Sequence, residues 1–120
     1  SKEDDYDKLC EMLKQKEYIK GYSQFIGELH NNKIIGIHKI NIFINTILKN
    51  IRLNKINKEK QNNIEEYINS LYTIIKCIGD NFVNIENYQE KKNIFSVYCK
   101  DDDFTPKNKF KFMDICDLLN

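Results

Sequence analysis

The sequence predicts an all-α fold of about five helices, arranged as stacked antiparallel hairpins in an α-solenoid. Apolar residues recur every three or four positions over most of the 120-residue chain, which is the period of an amphipathic helix. Helix breakers are few, since the chain has one proline and four glycines. A chain of this length is expected to form a single domain over residues 1–120.

Two helices are predicted in the first half of the chain. The first runs from about Asp5 to His30, and the polar link NNKIIG follows it. The second runs from about Ile37 to Leu53, where isoleucines spaced by three and four favour a helix over a strand. The apolar residues expected on one face of the first helix are Leu9, Met12, Leu13, Ile19, Tyr22, Phe25, Ile26 and Leu29.

Three helices are predicted in the second half. The third runs from about Ile64 to Ile78, with Gly79 as a natural C-terminal cap. The fourth spans about Ile85 to Tyr98, and the loop KDDDFTP follows it. The fifth begins after Thr105, a good N-cap, with Pro106 as its first residue, and runs to the end. An odd number of helices leaves one without a hairpin partner, as expected for a piece of a longer array.

Composition and motifs exclude several classes of function. A net charge of +1 provides no global field that would recruit nucleic acid or a membrane, and no apolar run approaches the roughly 18 residues of a membrane span. The four cysteines form no C-x-x-C pair, which favours reduced thiols in an intracellular protein over a zinc site. No phosphate-binding loop or nucleophile motif occurs. We therefore expect no enzymatic activity, cofactor, metal or small-molecule substrate, and we interpret the Asp101–Asp103 run as a solvated loop.

The fifth helix carries two apolar stripes. Phe112, Ile115, Cys116 and Leu119 form the first, which is expected to be core, whereas Phe110 and Met113 lie on a different face. The charges of this helix oppose its dipole. Lysines Lys107, Lys109 and Lys111 crowd its first turns, and Asp114 and Asp117 follow. Two interpretations stay open: the second stripe is a surface for a partner, or it packs on a further helix.

Three segments together resemble the middle domain of eukaryotic translation initiation factor 4 gamma. They are FIGELHNNKIIGIHKINIFINTILKN (residues 25–50), EEYINSLYTIIKCIGDNF (65–82) and TPKNKFKFMDICDLLN (105–120). They occur in the family's order and at near-family spacing. Two lysines, Lys107 and Lys109, replace a pair of family arginines, and lysine cannot copy the bidentate fork of arginine. The abundance of Asn, Lys and Ile without any Ala is typical of an AT-rich genome, as in some protozoa.

The resemblance implies a cytoplasmic scaffold built of HEAT-type repeats, of which this chain is the C-terminal part, from the third repeat to the fifth. Such a scaffold binds the DEAD-box RNA helicase initiation factor 4A and RNA, and so promotes mRNA unwinding and ribosome recruitment. Phe110 is implied as the anchor of the helicase contact, surrounded by Lys107, Lys109, Asp114 and Asp117.

The same resemblance explains a glycine inside the first predicted helix. In the run Phe25, Ile26, Gly27, Glu28 and Leu29, the glycine costs about 1 kcal/mol relative to alanine. We expect Gly27 to permit close approach of a neighbouring helix, and Glu28 to be a structural hydrogen-bonding partner. Two alternatives stay open for function: a related middle-domain scaffold of mRNA processing or nonsense-mediated decay, and a plain RNA-binding module, which needs a contiguous basic face with exposed aromatics.

Overall fold

The structure, a computed structural model, describes residues 2–4, 7, 19–57 and 61–120. The described residues form helices and no strand, so the predicted all-α class is confirmed. In no described helix are length and apolar character sufficient for crossing a membrane. The helices that we number are α1 (Ile19–Asn31), α2 (Ile37–Asn54), α3 (Gln61–Ile78), a 3-10 helix (Gly79–Asn84), α4 (Tyr88–Tyr98) and α5 (Pro106–Leu118).

Most helix boundaries lie close to the predicted ones. α2 begins at Ile37 as predicted and ends one residue beyond the predicted end. α3 ends at Ile78 as predicted, and Gly79 follows it with a φ of 60°, the left-handed conformation of a C-terminal cap. Within the described residues, α3 extends back to Gln61, three residues before the predicted start. The predicted first helix is confirmed over α1, and the predicted stripe residues Leu9, Met12 and Leu13 lie outside the described residues.

The fourth helix ends at Tyr98 as predicted but starts three residues later than predicted. The chain forms a 3-10 helix over Gly79–Asn84, and α4 begins only at Tyr88. Gly79 and Asn87 both adopt positive φ, and a left-handed residue cannot continue an α-helix. Phe82 fixes the 3-10 turn to the core, because its side chain is fully buried and its ring meets Tyr88 edge-on at 5.8 Å between centroids.

The core is built around α3. This helix packs against α1, α2 and α5, and α4 packs against α5. Burial of one isoleucine side chain contributes roughly 1.5–3 kcal/mol, so a stripe of five apolar residues can hold the three neighbours together. The residues of the predicted α3 stripe are all buried: Ile64, Ile68, Leu71, Ile75 and Ile78. This packing places α5 at one flank of α3, with one face in the core and the other in solvent.

Helices α2 and α4 run in the same direction along the molecule. Near the start of α2, His38 contacts Glu86, which precedes α4. At the end of α2, the Lys55 Nζ lies 5.5 Å from the ring centroid of Tyr98, the last residue of α4. The starts of α2 and α4 therefore lie together, as do their ends, and a groove runs between the two helices.

Lys55 also joins α2 to the loop before α5. Its Nζ pairs with the Asp101 carboxylate and lies 3.7 Å from an oxygen of Asp103. Asp102 and Asp103 are exposed, in agreement with the predicted solvated loop, but Asp101 is mostly buried. The interpretation of Asp101 as solvated is therefore wrong, because Lys55, which is distant in the sequence, pairs with it in the fold.

We expect Asp101→Asn to lower the free energy of unfolding by about 1 kcal/mol at pH 7, because Lys55 loses a charged hydrogen-bond partner. Burial raises the pKa of the Asp101 carboxyl, but Lys55 and the Asp103 amide more than offset this, so the net pKa is lowered. The contribution is therefore full above about pH 4, the unfolded value, and is lost as pH falls through the folded pKa. Urea unfolding of the parent and the variant should converge in acid.

Asp114→Asn is the matched control for this measurement. Asp114 is exposed and forms no ion pair with another described residue, so its amide variant should differ from the parent by less than about 0.5 kcal/mol. Equal losses for both variants would show that the Lys55 pairing stabilises nothing.

Candidate functional site

The candidate site is the solvent face of α5, and local sequence fixes where this helix begins. Thr105 is the N-cap, and its Oγ1 accepts a hydrogen bond from the backbone N–H of Asn108 at 3.3 Å. Pro106 occupies the first helical position, where a missing N–H costs nothing. The predicted start is thus confirmed, and it determines which face each following residue occupies.

The two apolar stripes of α5 have opposite environments. Phe112 and Ile115 are fully buried, and the Phe112 ring lies 5.2 Å from the ring centroids of both Tyr98 and Phe104. Phe110 is 63% exposed and Met113 is 41% exposed. The prediction that Phe112 belongs to the core and Phe110 to a separate face is therefore confirmed.

Two carboxylates flank the exposed phenylalanine. Asp114 and Asp117 follow Phe110 by four and seven residues, which places all three on one side of the helix. Both aspartates are exposed, and neither forms an ion pair within the part of the chain that the structure describes. The outward face of α5 therefore combines an apolar centre of Phe110 and Met113 with free negative charge. We call these four residues the α5 face.

The two predicted lysines lie at different places. Lys107 is exposed at the edge of the α5 face, and its Nζ lies 2.8 Å from a carboxylate oxygen of Glu65 on α3. Lys109 is mostly buried and donates to Asp102 at 2.8 Å. The structure thus directs Lys107, which lies one turn before Phe110, to α3, whereas Lys109 is directed to the preceding loop. A long side chain can reach several partners, and its spacing along the helix did not reveal which one it takes.

Gly27 lies where α1 packs tightly against the C-terminal end of α3. A Cβ added at this position would meet the Cys77 Sγ at 2.6 Å and the Cys77 Cβ at 2.8 Å, both shorter than real contacts. The prediction that Gly27 permits a neighbouring helix to approach is confirmed. Of its predicted neighbours, Ile26 is fully buried and Leu29 is half-buried, but Phe25 is 50% exposed.

Glu28 and Cys77 form a small polar contact beside this glycine. The Glu28 Oε1 accepts from the Gln24 side-chain amide at 3.0 Å and from the Cys77 thiol at 3.2 Å. Burial, together with this hydrogen bond to a carboxylate, raises the pKa of Cys77 to about 11. Such a thiol is a poor nucleophile at neutral pH. Glu28 therefore acts as the structural hydrogen-bonding partner that the sequence predicted.

A second polar cluster was not found by sequence reasoning. Glu86 accepts from the Asn41 side-chain amide at 3.1 Å and pairs with His38 at 2.9 Å, and its backbone carbonyl accepts from the Lys91 Nζ at 2.6 Å. Burial lowers the pKa of Lys91, while the nearby Glu86 and Glu90 oppose this shift. Lys91 is only 4% exposed, and lysine is rarely so buried. No local sequence motif predicts this cluster, because its members come from separate elements.

Chemically, the α5 face offers contact area and charge. Among the described residues, no group of three or more His, Cys, Asp and Glu side chains could hold a metal ion.

Comparison of the chain with known protein families, with curated proteins and with solved structures found no match.

Proposed function

We propose that the α5 face is a protein-binding surface of a translation-initiation scaffold, and that its partner is the DEAD-box RNA helicase initiation factor 4A. The observation that carries this proposal is the exposed Phe110, with Met113 beside it and two free aspartates around it. Exposed aromatics surrounded by polar groups are common anchors of protein interfaces. The three sequence segments that resemble the initiation factor 4 gamma middle domain supply the identity of the partner.

The packing of the helices is compatible with stacked hairpins of the HEAT type. α1, α3 and α5 form a row with α3 in the middle, and α2 and α4 pack on α3 and α5 respectively. Neighbouring repeats of a solenoid contact each other in this way. In the proposed arrangement, the chain contributes the third to fifth repeats of a cytoplasmic scaffold, which has no catalytic activity and holds the helicase in a productive arrangement. The same surface could serve a related scaffold of mRNA processing or decay, and identification of the helicase would distinguish these processes.

RNA binding is the second part of the proposal, and one cluster favours it. The Lys111 Nζ lies 4.0 Å from the ring centroid of Tyr72, and the Lys76 Nζ lies 5.7 Å from the same centroid. Two lysines gathered at one ring on adjacent helices bring together positive charges that can contact phosphates. This cluster joins α3 to α5 and is small, so we assign it a supporting contact rather than an independent RNA-binding module.

The helicase contact predicts a specific effect of Phe110→Ala. Loss of an aromatic anchor commonly costs about 2 kcal/mol, so the dissociation constant for the helicase should rise about thirtyfold. The melting curve should stay nearly unchanged, because Phe110 contributes little to the core. Isothermal titration of purified initiation factor 4A into the parent and the variant measures the affinity.

Val97→Ala provides the matched control. Val97 on α4 is 62% exposed, so its truncation also removes exposed apolar surface, but outside the α5 face. Helicase affinity should change by less than about twofold. The proposal fails if Phe110→Ala binds like the parent, or if the two variants weaken binding equally. It also fails if Phe110→Ala unfolds the chain, since Phe110 would then be part of the core.

A further inference from the structure

A second surface, separate from the α5 face, lies in the groove between α2 and α4. The groove has a volume of about 320 Å³. Its floor is apolar, since Leu48, Ile94 and Tyr98 are all half-buried there. Its remaining lining comes from α2, where Asn45, Lys49 and Arg52 follow one another at helical spacing and are exposed. One rim of an apolar floor therefore carries two cations.

These cations differ from the lysine that follows them on the same helix. Lys55 pairs with Asp101, whereas neither Lys49 nor Arg52 forms an ion pair within the part of the chain that the structure describes. The side-chain amide of Asn45 likewise has no hydrogen-bond partner among the described residues. The rim therefore offers two positive charges and one amide for an incoming ligand.

We propose that this groove binds an acidic peptide segment of a partner protein. One apolar side chain of the peptide would lie on Leu48 and Ile94, and carboxylates on either side of it would pair with Lys49 and Arg52. The guanidinium of Arg52 can hold a carboxylate through two parallel hydrogen bonds. The amide of Asn45 can donate to a peptide carbonyl. An apolar floor with a cationic rim is complementary to a peptide that alternates acidic and apolar side chains.

The groove is less suited to RNA than to such a peptide. The half-buried Tyr98 ring is already in contact with Phe104 and Phe112, and the Lys55 Nζ lies over it, so it offers a base less ring surface on which to stack than a free aromatic side chain would. Two cations neutralise few phosphates, so they would hold an RNA strand only weakly.

The test uses a short fluorescent peptide with glutamates on both sides of one leucine, measured by anisotropy against the full chain. A second peptide with glutamines in place of the glutamates is the ligand control. The acidic peptide should bind at least tenfold more tightly, and its affinity should fall as salt is raised from about 50 to 300 mM. Equal binding of both peptides, or no measurable binding of the acidic one, would overturn the proposal.

Three variants of the chain locate the site. Arg52→Glu should weaken peptide binding about tenfold, because a like charge then faces the ligand. Asn45→Trp should block the groove and produce a similar loss, and both positions are exposed, so melting curves should match the parent. Lys33→Glu, the same charge reversal outside the groove, should leave binding within about twofold. If Lys33→Glu weakens binding as much as Arg52→Glu, the attraction is non-specific and the groove is not the site.

Two further measurements separate this proposal from RNA binding and from the helicase contact. A single-stranded oligouridylate that binds more tightly than the acidic peptide, and loses affinity with Arg52→Glu, would overturn the peptide proposal in favour of RNA. Phe110→Ala should bind the acidic peptide like the parent, because the α5 face is not part of the groove. The peptide proposal can therefore be supported or overturned independently of the helicase result.

Discussion

Phe112→Ala should lower the free energy of unfolding by about 3–5 kcal/mol, the largest effect that we expect from a single substitution. The Phe112 side chain is fully buried between α5 and its neighbours, with the rings of Tyr98 and Phe104 against it. Its removal loses apolar burial and leaves a cavity that the two remaining rings cannot fill. For a chain of this size, roughly 4 °C of melting temperature per kcal/mol corresponds to a decrease of about 12–20 °C.

Phe110→Ala is the matched control for this prediction, because it makes the same chemical change two residues earlier on the same helix. Its side chain is mostly exposed, so the free energy of unfolding should change by less than about 1 kcal/mol. Urea unfolding monitored by circular dichroism measures both variants. If Phe112→Ala loses no more than Phe110→Ala, the assignment of the two faces of α5 is wrong.

Gly27→Leu should destabilise the chain by about 1–3 kcal/mol through overpacking. The nearest atoms are the Sγ and the Cβ of Cys77, at 2.6 and 2.8 Å from the position of an added Cβ. A thiol can rotate away, but a Cβ is fixed to its backbone, so α1 and α3 would have to separate. Gly27→Ala already meets this obstacle, although alanine gains about 1 kcal/mol of helix propensity over glycine.

A double variant separates the contact from the propensity. When Cys77→Gly removes both obstructing atoms, Gly27→Ala should become stabilising, by up to about 1 kcal/mol, since only the propensity remains. Gly36→Ala is the control for available space, because nothing lies within 4 Å of an added Cβ at this position. Gly36 is the N-cap of α2, so the substitution should lower the free energy of unfolding by about a few tenths of a kcal/mol. A Gly27→Ala variant more stable than the parent with Cys77 present would contradict a tight approach.

Local signals were sufficient for the elements whose boundaries depend on neighbouring residues. The regular isoleucine spacing placed α2, and the positive φ of Gly79 ended α3 where the sequence predicted. Thr105 capped α5 as expected, and that start fixed the two faces of the helix. The burial of Phe112 and the exposure of Phe110 followed from helical spacing alone.

Features that depend on distant contacts were not predictable in the same way. The 3-10 helix after α3 depends on the burial of Phe82 in the assembled core, which its own neighbours do not indicate. Phe25 belongs to an apolar run yet is half exposed, because periodicity does not show how wide the buried face of α1 is. The partner of Asp101 lies 46 positions away at Lys55, so the acidic run alone indicated only a loop.

The central position of α3 has a consequence for the coupling between the two ends of the molecule. α1 and α5 both pack on α3, so α3 links them directly. A displacement of α1 at Gly27 can reach the α5 face through a shift or tilt of α3. We therefore expect any energetic coupling between the two ends of the molecule to depend on how rigid α3 is.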